Sequence, residues 1–262
     1  MSQGCTRYEK AGAVGRITFD RPEAYNALTW DMWRGLGEAC AAIADDSEVR
    51  IVTLRGAGGK AFVAGTDIVG FQSFPSGAEG ARRGVAYEAE MDAYVGAVEA
   101  LPQPTIAIID GWAVGGGLAL SFASDFRIAA TGARFGSPLA RTIGNCLSAR
   151  GYTRLVQHVG VIVAKRMLLG AEIVGADEMR ALGLLNALVA PEQIDATVDA
   201  LIEKLLTHAP LTMKVSKEAL RRVGKASEPD IEDLIATVYG SHDFAEGVRS
   251  FLAKEEPAWA GR

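Results

Sequence analysis

An α/β fold finished by a helical C-terminal part is what this sequence predicts, and three observations predict it. In the first two thirds, short β-branched runs alternate with helical periods. Within that part, Pro104 to Asp125 runs from a β-branched stretch through three consecutive glycines into an unbroken apolar run. From Glu192 onward the pattern is mostly helix. Strands partnered by helices early, with helices alone at the end, form the pattern of an α/β core with an appended helical region.

The elements follow in order. Val14 to Phe19 alternates and reads as a strand. Asp20 to Asn26 is a loop, with Pro22 and Asn26 as its turn residues. Trp33, Leu36, Cys40 and Ile43 share one helical face, and Asp45-Asp46-Ser47 ends that helix. Val49 to Leu54 is the next strand and Gly56 to Gly59 its turn. Ala61 to Ile68 passes from an extended piece into a short helix or turn. Phe71 to Gly84, with Pro75, Gly77 and Gly80, is expected to be a mobile loop. Tyr87 to Leu101 is expected as a helix with Met91, Tyr94, Val95 and Val98 inward. Thr105 to Ile109 reads as a buried strand, and Leu118 to Ala123 as a buried helix. Phe126 to Ala129 is a further strand, and Phe135 to Ser148, rich in Gly and Pro, is irregular. Arg150 to Leu169 and Gly175 to Ala181 carry helical patterns, with a strand expected at Leu184 to Val189. Helices are then expected at Ile194–His208, Leu211–Val223, Asp230–Tyr239 and His242–Lys254. The organisation expected is a core over residues 1–190 and a helical region over 191–262, with a boundary near Pro191.

Composition narrows the function. Of 262 residues, 49% are hydrophobic and 23% charged, which suits a globule with a full core. The net charge is -5 with no dense basic run, so nucleic acid is not an expected partner. The run Thr105 to Ala123 is apolar enough to suggest a membrane span, but Asp110 and the glycines interrupt it, so no membrane is expected. Cys5, Cys40 and Cys146 are scattered, and no C-x-x-C occurs. Neither a disulfide framework nor a metal site is expected, and a reducing cytoplasm is the simple inference.

Gly115, Gly116 and Gly117 carry the chemical signal. Three glycines in a row each cost a helix about 1 kcal/mol relative to alanine. The cost fits a backbone that approaches something closely, or a positive-φ conformation. A helix starting there points unpaired N–H groups and its positive dipole end into the turn. Close helix–strand packing alone is the competing explanation. Ala64-Gly65-Thr66-Asp67 is a second glycine-marked turn of the same character. Together the two turns could offer two backbone N–H groups to one oxygen.

Four segments then carry a resemblance: Ile17 to Leu28, Ala61 to Ile68, Ile109 to Leu118 and Ser124 to Ala129. With Phe251-Leu-Ala-Lys254 near the end, the sequence resembles the crotonase (enoyl-CoA hydratase/isomerase) superfamily over nearly its whole length. The resemblance implies a crotonase-like spiral of ββα units with a C-terminal helical trimerisation region, assembled as a homotrimer or hexamer. It implies an acyl-CoA thioester as substrate, with coenzyme A entering only as part of that substrate and no separate cofactor. The N–H groups of Thr66 and Gly116 would form the oxyanion hole. The carbonyl of Ala64 would accept from adenine, Ala24 and Tyr25 would lie along the CoA, and Asp67 and Ile68 would lie beside it, Asp67 organising the turn. Phe251 and Lys254 would reach the nucleotide end from a neighbouring subunit.

The sequence also departs from that pattern. Hydratases of the family carry two glutamates, at positions that are Ala119 and Leu139 here. Phe135 to Ser148 contains no Asp or Glu at all. Neither alanine nor leucine transfers protons, so two-glutamate hydration is not expected. Arg141 and Asn145 are candidate polar groups for the acyl site, with a surface arginine and a turn-shaping asparagine as the plainer readings. Glu88, Glu90 and Asp92 are expected on a solvated helix face. The leading expectation is an acyl-CoA enzyme with noncanonical proton transfer. Isomerisation, thioester hydrolysis, C–C cleavage and non-catalytic acyl-CoA binding stand as alternatives.

Overall fold

The computed structural model describes residues 4–225 and 231–260. The elements are β1 (Cys5–Ala11), β2 (Val14–Asp20), α1 (Trp30–Asp45), β3 (Ile51–Gly56), β4 (Ala61–Val63), α2 (Gly77–Ala100), β5 (Thr105–Ile109), β6 (Trp112–Val114) and α3 (Gly116–Ala123). They continue as β7 (Phe126–Ala130), β8 (Arg134–Gly136), α4 (Ala149–Leu168), β9 (Ile173–Gly175), α5 (Ala176–Ala181), β10 (Ala187–Val189), α6 (Ile194–Leu206), α7 (Pro210–Lys225), α8 (Glu232–Tyr239) and α9 (His242–Ala253). The expected start of α8 at Asp230 lies outside the described residues. No helix of the described residues is long and apolar enough to cross a membrane.

The chain forms two compact units. One comprises Met1–Thr66, Tyr94–Phe135 and Val174–Ala226; the other comprises Asp67–Ala93, Gly136–Ile173 and Ser227–Arg262. Of the C-terminal helices, α6 and α7 belong to the first unit, and α8 and α9 to the second.

The first unit is built on a six-stranded sheet of order β1-β2-β3-β5-β7-β10. The β1–β2 pair is antiparallel, and the remaining neighbours are parallel. β5 is buried at every position, as its β-branched sequence requires of a strand covered on both faces. Ile51, Ile106, Ile108 and Ile128 of the sheet pack with Ile194, Val198, Ile202 and Leu205 of α6. Those α6 residues recur at helical spacing, so one face of α6 covers the sheet. A second sheet has the order β4-β6-β8-β9, and in it β4 and β6 run parallel. β6 follows β5 after only Asp110 and Gly111 and escapes a reading that stops at the first strand.

In the second unit, Phe71, Phe74, Tyr87, Tyr239 and Phe244 form an aromatic cluster with centroid separations from 4.8 Å for Tyr239–Phe244 to 6.2 Å for Phe74–Tyr239. The expected loop from Phe71 to Gly84 is corrected here. A 3₁₀ turn occupies Ile68–Ser73, and α2 already begins at Gly77. Gly80 and Gly84 serve close packing: a Cβ on Gly84 would lie 2.1 Å from Tyr239 Cβ, and one on Gly80 2.1 Å from the Pro75 carbonyl oxygen. α4 is also not one continuous helix, because Gly160 adopts φ 72° and ψ 163° within it.

Candidate active site

The parallel pairing of β4 with β6 decides the geometry of the first unit's candidate site. Parallel neighbours end on the same side, so the turns that follow them must lie side by side. The turn after Val63 holds Ala64, Gly65 and Thr66; the turn after Val114 holds Gly115 and Gly116. A Cβ on Gly115 would sit 3.6 Å from Gly65 Cα, and one on Gly65 would sit 3.6 Å from the Val114 carbonyl oxygen.

Each glycine is there for its own reason. Gly115 takes φ 56° and ψ -117°, and Gly65 takes φ 97°. L side chains strain in that region. Gly117 lets α3 press on β4, since a Cβ there would fall 1.9 Å from the Val63 carbonyl oxygen. Close packing and a turn conformation therefore both operate, at different glycines. The α3 ladder begins with Ala119 N–H donating to Gly115 O at 3.0 Å. The N–H groups of Gly116, Gly117 and Leu118 precede it and have no intrahelical acceptor.

The loop from Asp20 to Leu28 braces the first turn. Tyr25 and Asn26 both take positive φ, 51° and 58°. That fold-back lets Ala64 N–H donate to Tyr25 O at 3.1 Å and Leu28 N–H donate to Gly65 O at 2.8 Å. The Asn26 side chain is fully buried and donates to the Ala57 and Ala61 carbonyls, both at 2.9 Å, while accepting from Arg21 N–H at 3.0 Å. Trp33 of α1 lies under both turns. Its indole N–H donates to Thr66 Oγ1 at 3.3 Å, and its Cζ2 is 3.0 Å from a Cβ position on Gly116.

Ala24 is half-buried beside the exposed Tyr25, and Ala64 is half-buried at the head of the first turn. Thus Ala24, Tyr25, Ala64, Thr66 and Gly116 are gathered in one unit. The other predicted site residues belong to the second unit. Asp67 caps the 3₁₀ turn, accepting from Val69 N–H at 3.2 Å, and the half-buried Ile68 opens that turn. Arg141 is exposed on a turn, its N–H donating to Pro138 O at 3.1 Å. Phe251 is exposed near the end of α9, and the exposed Lys254 ends it in left-handed conformation. The Asn145 amide donates to the Tyr239 phenol oxygen at 3.3 Å, while its Oδ1 is buried with no hydrogen-bond partner among the described residues. An acceptor left so costs about 1–3 kcal/mol.

The enoyl-CoA hydratase/isomerase family model matches residues 9–262. The chain belongs to this family. A short-chain-enoyl-CoA hydratase of Clostridium acetobutylicum is 32% identical over 255 residues, covering 95% of this chain and 94% of that protein. A crystal structure of an enoyl-CoA hydratase/carnithine racemase from Magnetospirillum magneticum is 35% identical with a TM-score of 0.78, covering 98% and 96% of the two chains. Methylmalonyl-CoA decarboxylase in complex with 2-nitronate-propionyl-CoA is 26% identical with a TM-score of 0.88, covering 98% and 99%. The α/β fold is accordingly that of the crotonase superfamily, with its helical C-terminal region present, and the chain is an acyl-CoA enzyme of that family.

Within this family member, one carboxyl named from the sequence lies in a different environment from the one expected. Glu88, expected on a solvated face, is only 6% exposed, and Tyr239 is fully buried. The Tyr239 hydroxyl donates to Glu88 Oε1, and the Ser148 N–H also donates to the Glu88 carboxyl. Burial pushes the Glu88 carboxyl up to about 8; the nearby Asp92 charge adds to the rise, and the Tyr239 and Ser148 donors oppose it. No cation is among the groups that shift Glu88, and it is the only Asp or Glu among the described residues in the buried class. Beside it, burial pushes the Cys146 thiol up to about 12. The signal was in the spacing. Gly84, Tyr87, Met91, Val95 and Val98 lie on the buried stripe of α2, and Glu88, one turn after Gly84 and one before Met91, falls on it.

Proposed function

We propose that this family member acts on an acyl-CoA thioester whose carbonyl oxygen is received by the N–H groups of Thr66 and Gly116. The observation that carries the reading is the side-by-side placement of the Gly65–Thr66 and Gly115–Gly116 turns at the ends of parallel β4 and β6. Proton removal beside a thioester, or attack on it, puts negative charge on that oxygen. One donor aimed at such a charge is worth roughly 3–4 kcal/mol in the transition state. Ala64, Ala24, Tyr25, Asp67 and Ile68 are proposed to line the CoA, and Phe251 and Lys254 to reach it from a neighbouring copy. Leu211, Val215, Leu220 and Val223 of α7 are exposed, and burial of such a surface supports assembly as a homotrimer or hexamer.

Ala119 and Leu139 stand where the family resemblance sets the glutamates of hydratases, so enolate or tetrahedral-oxyanion chemistry other than two-glutamate hydration is the reading. Isomerisation, thioester hydrolysis and C–C cleavage all suit it. C–C cleavage has a specific observation in its favour, the 0.88 TM-score against a decarboxylase. Loss of a carboxyl group as CO₂ leaves its electron pair on the enolate and needs no base to form it, which suits a site without those glutamates.

Incubation with crotonyl-CoA, butyryl-CoA and methylmalonyl-CoA, read by mass spectrometry, tests the proposal. A gain of water marks hydration, loss of CO₂ marks decarboxylation, and free CoA marks hydrolysis. A shifted double bond at constant mass marks isomerisation. Saturable binding without product makes the chain an acyl-CoA-binding protein, and no binding of any thioester overturns the reading.

A further inference from the structure

We propose that the Thr66 side chain is a positioning group, the handle by which the Trp33 indole sets the direction of the Thr66 N–H. This rests on the acyl-CoA reading above, in which that N–H receives the thioester oxygen. Every residue involved belongs to the first unit.

A donor aimed at a developing charge works by its direction. The Thr66 N–H lies in the peptide plane that joins Thr66 to Gly65, and Gly65 takes φ 97°. Glycine restrains its own torsions weakly, so this plane has to be held from outside. One end is held through its carbonyl. Gly65 O accepts from Leu28 N–H at 2.8 Å, at the parallel bridge between Leu28 and Thr66. In a trans peptide the C=O and N–H point opposite ways, so the Thr66 N–H is turned away from Leu28. A single bond at one end still lets the plane tilt about it. The Thr66 hydroxyl supplies the second hold, accepting from the Trp33 indole N–H at 3.3 Å. Threonine is β-branched and stiff at χ1, so a grip on Oγ1 is passed to Cα and to the N–H end of the plane.

The indole can act as an anchor because it is itself fixed. Trp33 is 1% exposed and stacks on Tyr94 with centroids 5.9 Å apart. Tyr94 lies against α1 at Gly37, one turn after Trp33, where a Cβ would fall 3.2 Å from Tyr94 Cε1. The benzo edge of the same indole lies under the second turn. A Cβ on Gly116 would fall 3.0 Å from its Cζ2 and 3.3 Å from its Cη2. The ring therefore holds one donor residue by a hydrogen bond and the other by contact. The competing role for the bond is to satisfy a buried indole N–H and nothing more. Loss of the bond would then leave the direction of the Thr66 N–H unchanged.

Infrared difference spectroscopy of bound butyryl-CoA, isotope-labelled at its thioester carbonyl, separates the two roles. Hydrogen bonds to that oxygen lower its stretching frequency, so the band reads how well the donors are aimed. Calorimetry on the same samples measures binding. Wild type lowers the frequency relative to butyryl-CoA in water. Thr66→Val keeps the N–H and the β-branch but removes the acceptor, and Trp33→Phe removes the indole donor. Each variant binds butyryl-CoA and loses part of the lowering. The double variant loses no more than the larger single loss, because both changes remove one bond. Thr66→Ser, which keeps the hydroxyl, recovers the lowering that Thr66→Val loses. On whichever acyl-CoA is turned over, kcat of Thr66→Val falls roughly twofold to tenfold with KM held. Thr66→Val at the wild-type frequency overturns the proposal, and so does Trp33→Phe at that frequency. A double variant that loses the sum of the two single losses overturns it as well. Wild type that binds no acyl-CoA, or binds butyryl-CoA without lowering the frequency, overturns the underlying reading instead.

Discussion

The indole N–H of Trp33 donates to the hydroxyl of Thr66 at 3.3 Å, and the same ring lies 3.0 Å from a Cβ position on Gly116. One side chain of α1 therefore sets two turns that the sequence separates by about fifty residues. Trp33 is itself fixed from below by stacking on Tyr94, with centroids 5.9 Å apart and planes inclined by 25°.

Trp33→Phe removes the donor and leaves part of the ring. A neutral hydrogen bond of this kind is worth about 0.5–1.5 kcal/mol. The expected outcome is a fall of roughly twofold to tenfold in kcat/KM on whichever acyl-CoA is turned over, with the fold retained by circular dichroism. A variant with full activity would show that this brace does not govern the turns.

Gly117→Ala places a methyl group 1.9 Å from the Val63 carbonyl oxygen, which is backbone and cannot swing aside. Overpacking of this kind costs about 1–3 kcal/mol, and more where the backbone must move. For a chain of this size each kcal/mol lowers the melting temperature by about 2–4 °C. Thermal unfolding checks the loss. Activity should fall with it, because the displaced element carries Gly116.

Asn26→Ala strips the Ala57 and Ala61 carbonyls and the Arg21 N–H of one shared partner. It also places alanine at φ 58°. Leaving buried groups unpaired costs about 1–3 kcal/mol each at most, with partial relaxation expected. Destabilisation of about 2–4 kcal/mol in urea is the expected result. Asn26→Asp keeps the acceptor for Arg21 but sets a carboxylate oxygen against the two carbonyl oxygens in a fully buried site, and should not recover the loss.

Glu88 gives the stability a sign with pH. Its carboxyl titrates at about 8 in the folded chain against 4.5 in the unfolded reference. Between those values the folded state holds a proton that the unfolded state has released, so stability falls as pH rises. The contribution is complete below about 4.5 and lost by about 8. Urea midpoints measured from pH 5 to 8 should fall for wild type and flatten for Glu88→Gln. A wild-type profile as flat as that of the variant would contradict the assignment.

Much of this molecule was legible before its fold was known. Trp33, Leu36, Cys40 and Ile43 share one face of α1 and are all buried, because helical periodicity is a local property. The strand Thr105 to Ile109 matches β5 residue for residue. The mobile loop expected from Phe71 to Gly84 was misread, because Gly80 and Gly84 look like breakers in sequence. Only the neighbouring Tyr239 explains why a helix needs glycine there.

The sequence by itself determined the class of fold, the family, the two glycine-marked turns and the absence of carboxylates at residues 119 and 139. Each of these is written in residues close together in the chain. Only the tertiary structure decided that the two turns lie side by side, that Trp33 sits beneath both, and that Glu88 is buried against Tyr239 and Ser148. Those relations depend on strand pairing and on packing between elements many residues apart. Desolvation then shifts Glu88, because the cost of charge depends on what surrounds a group in space and not on what adjoins it along the chain.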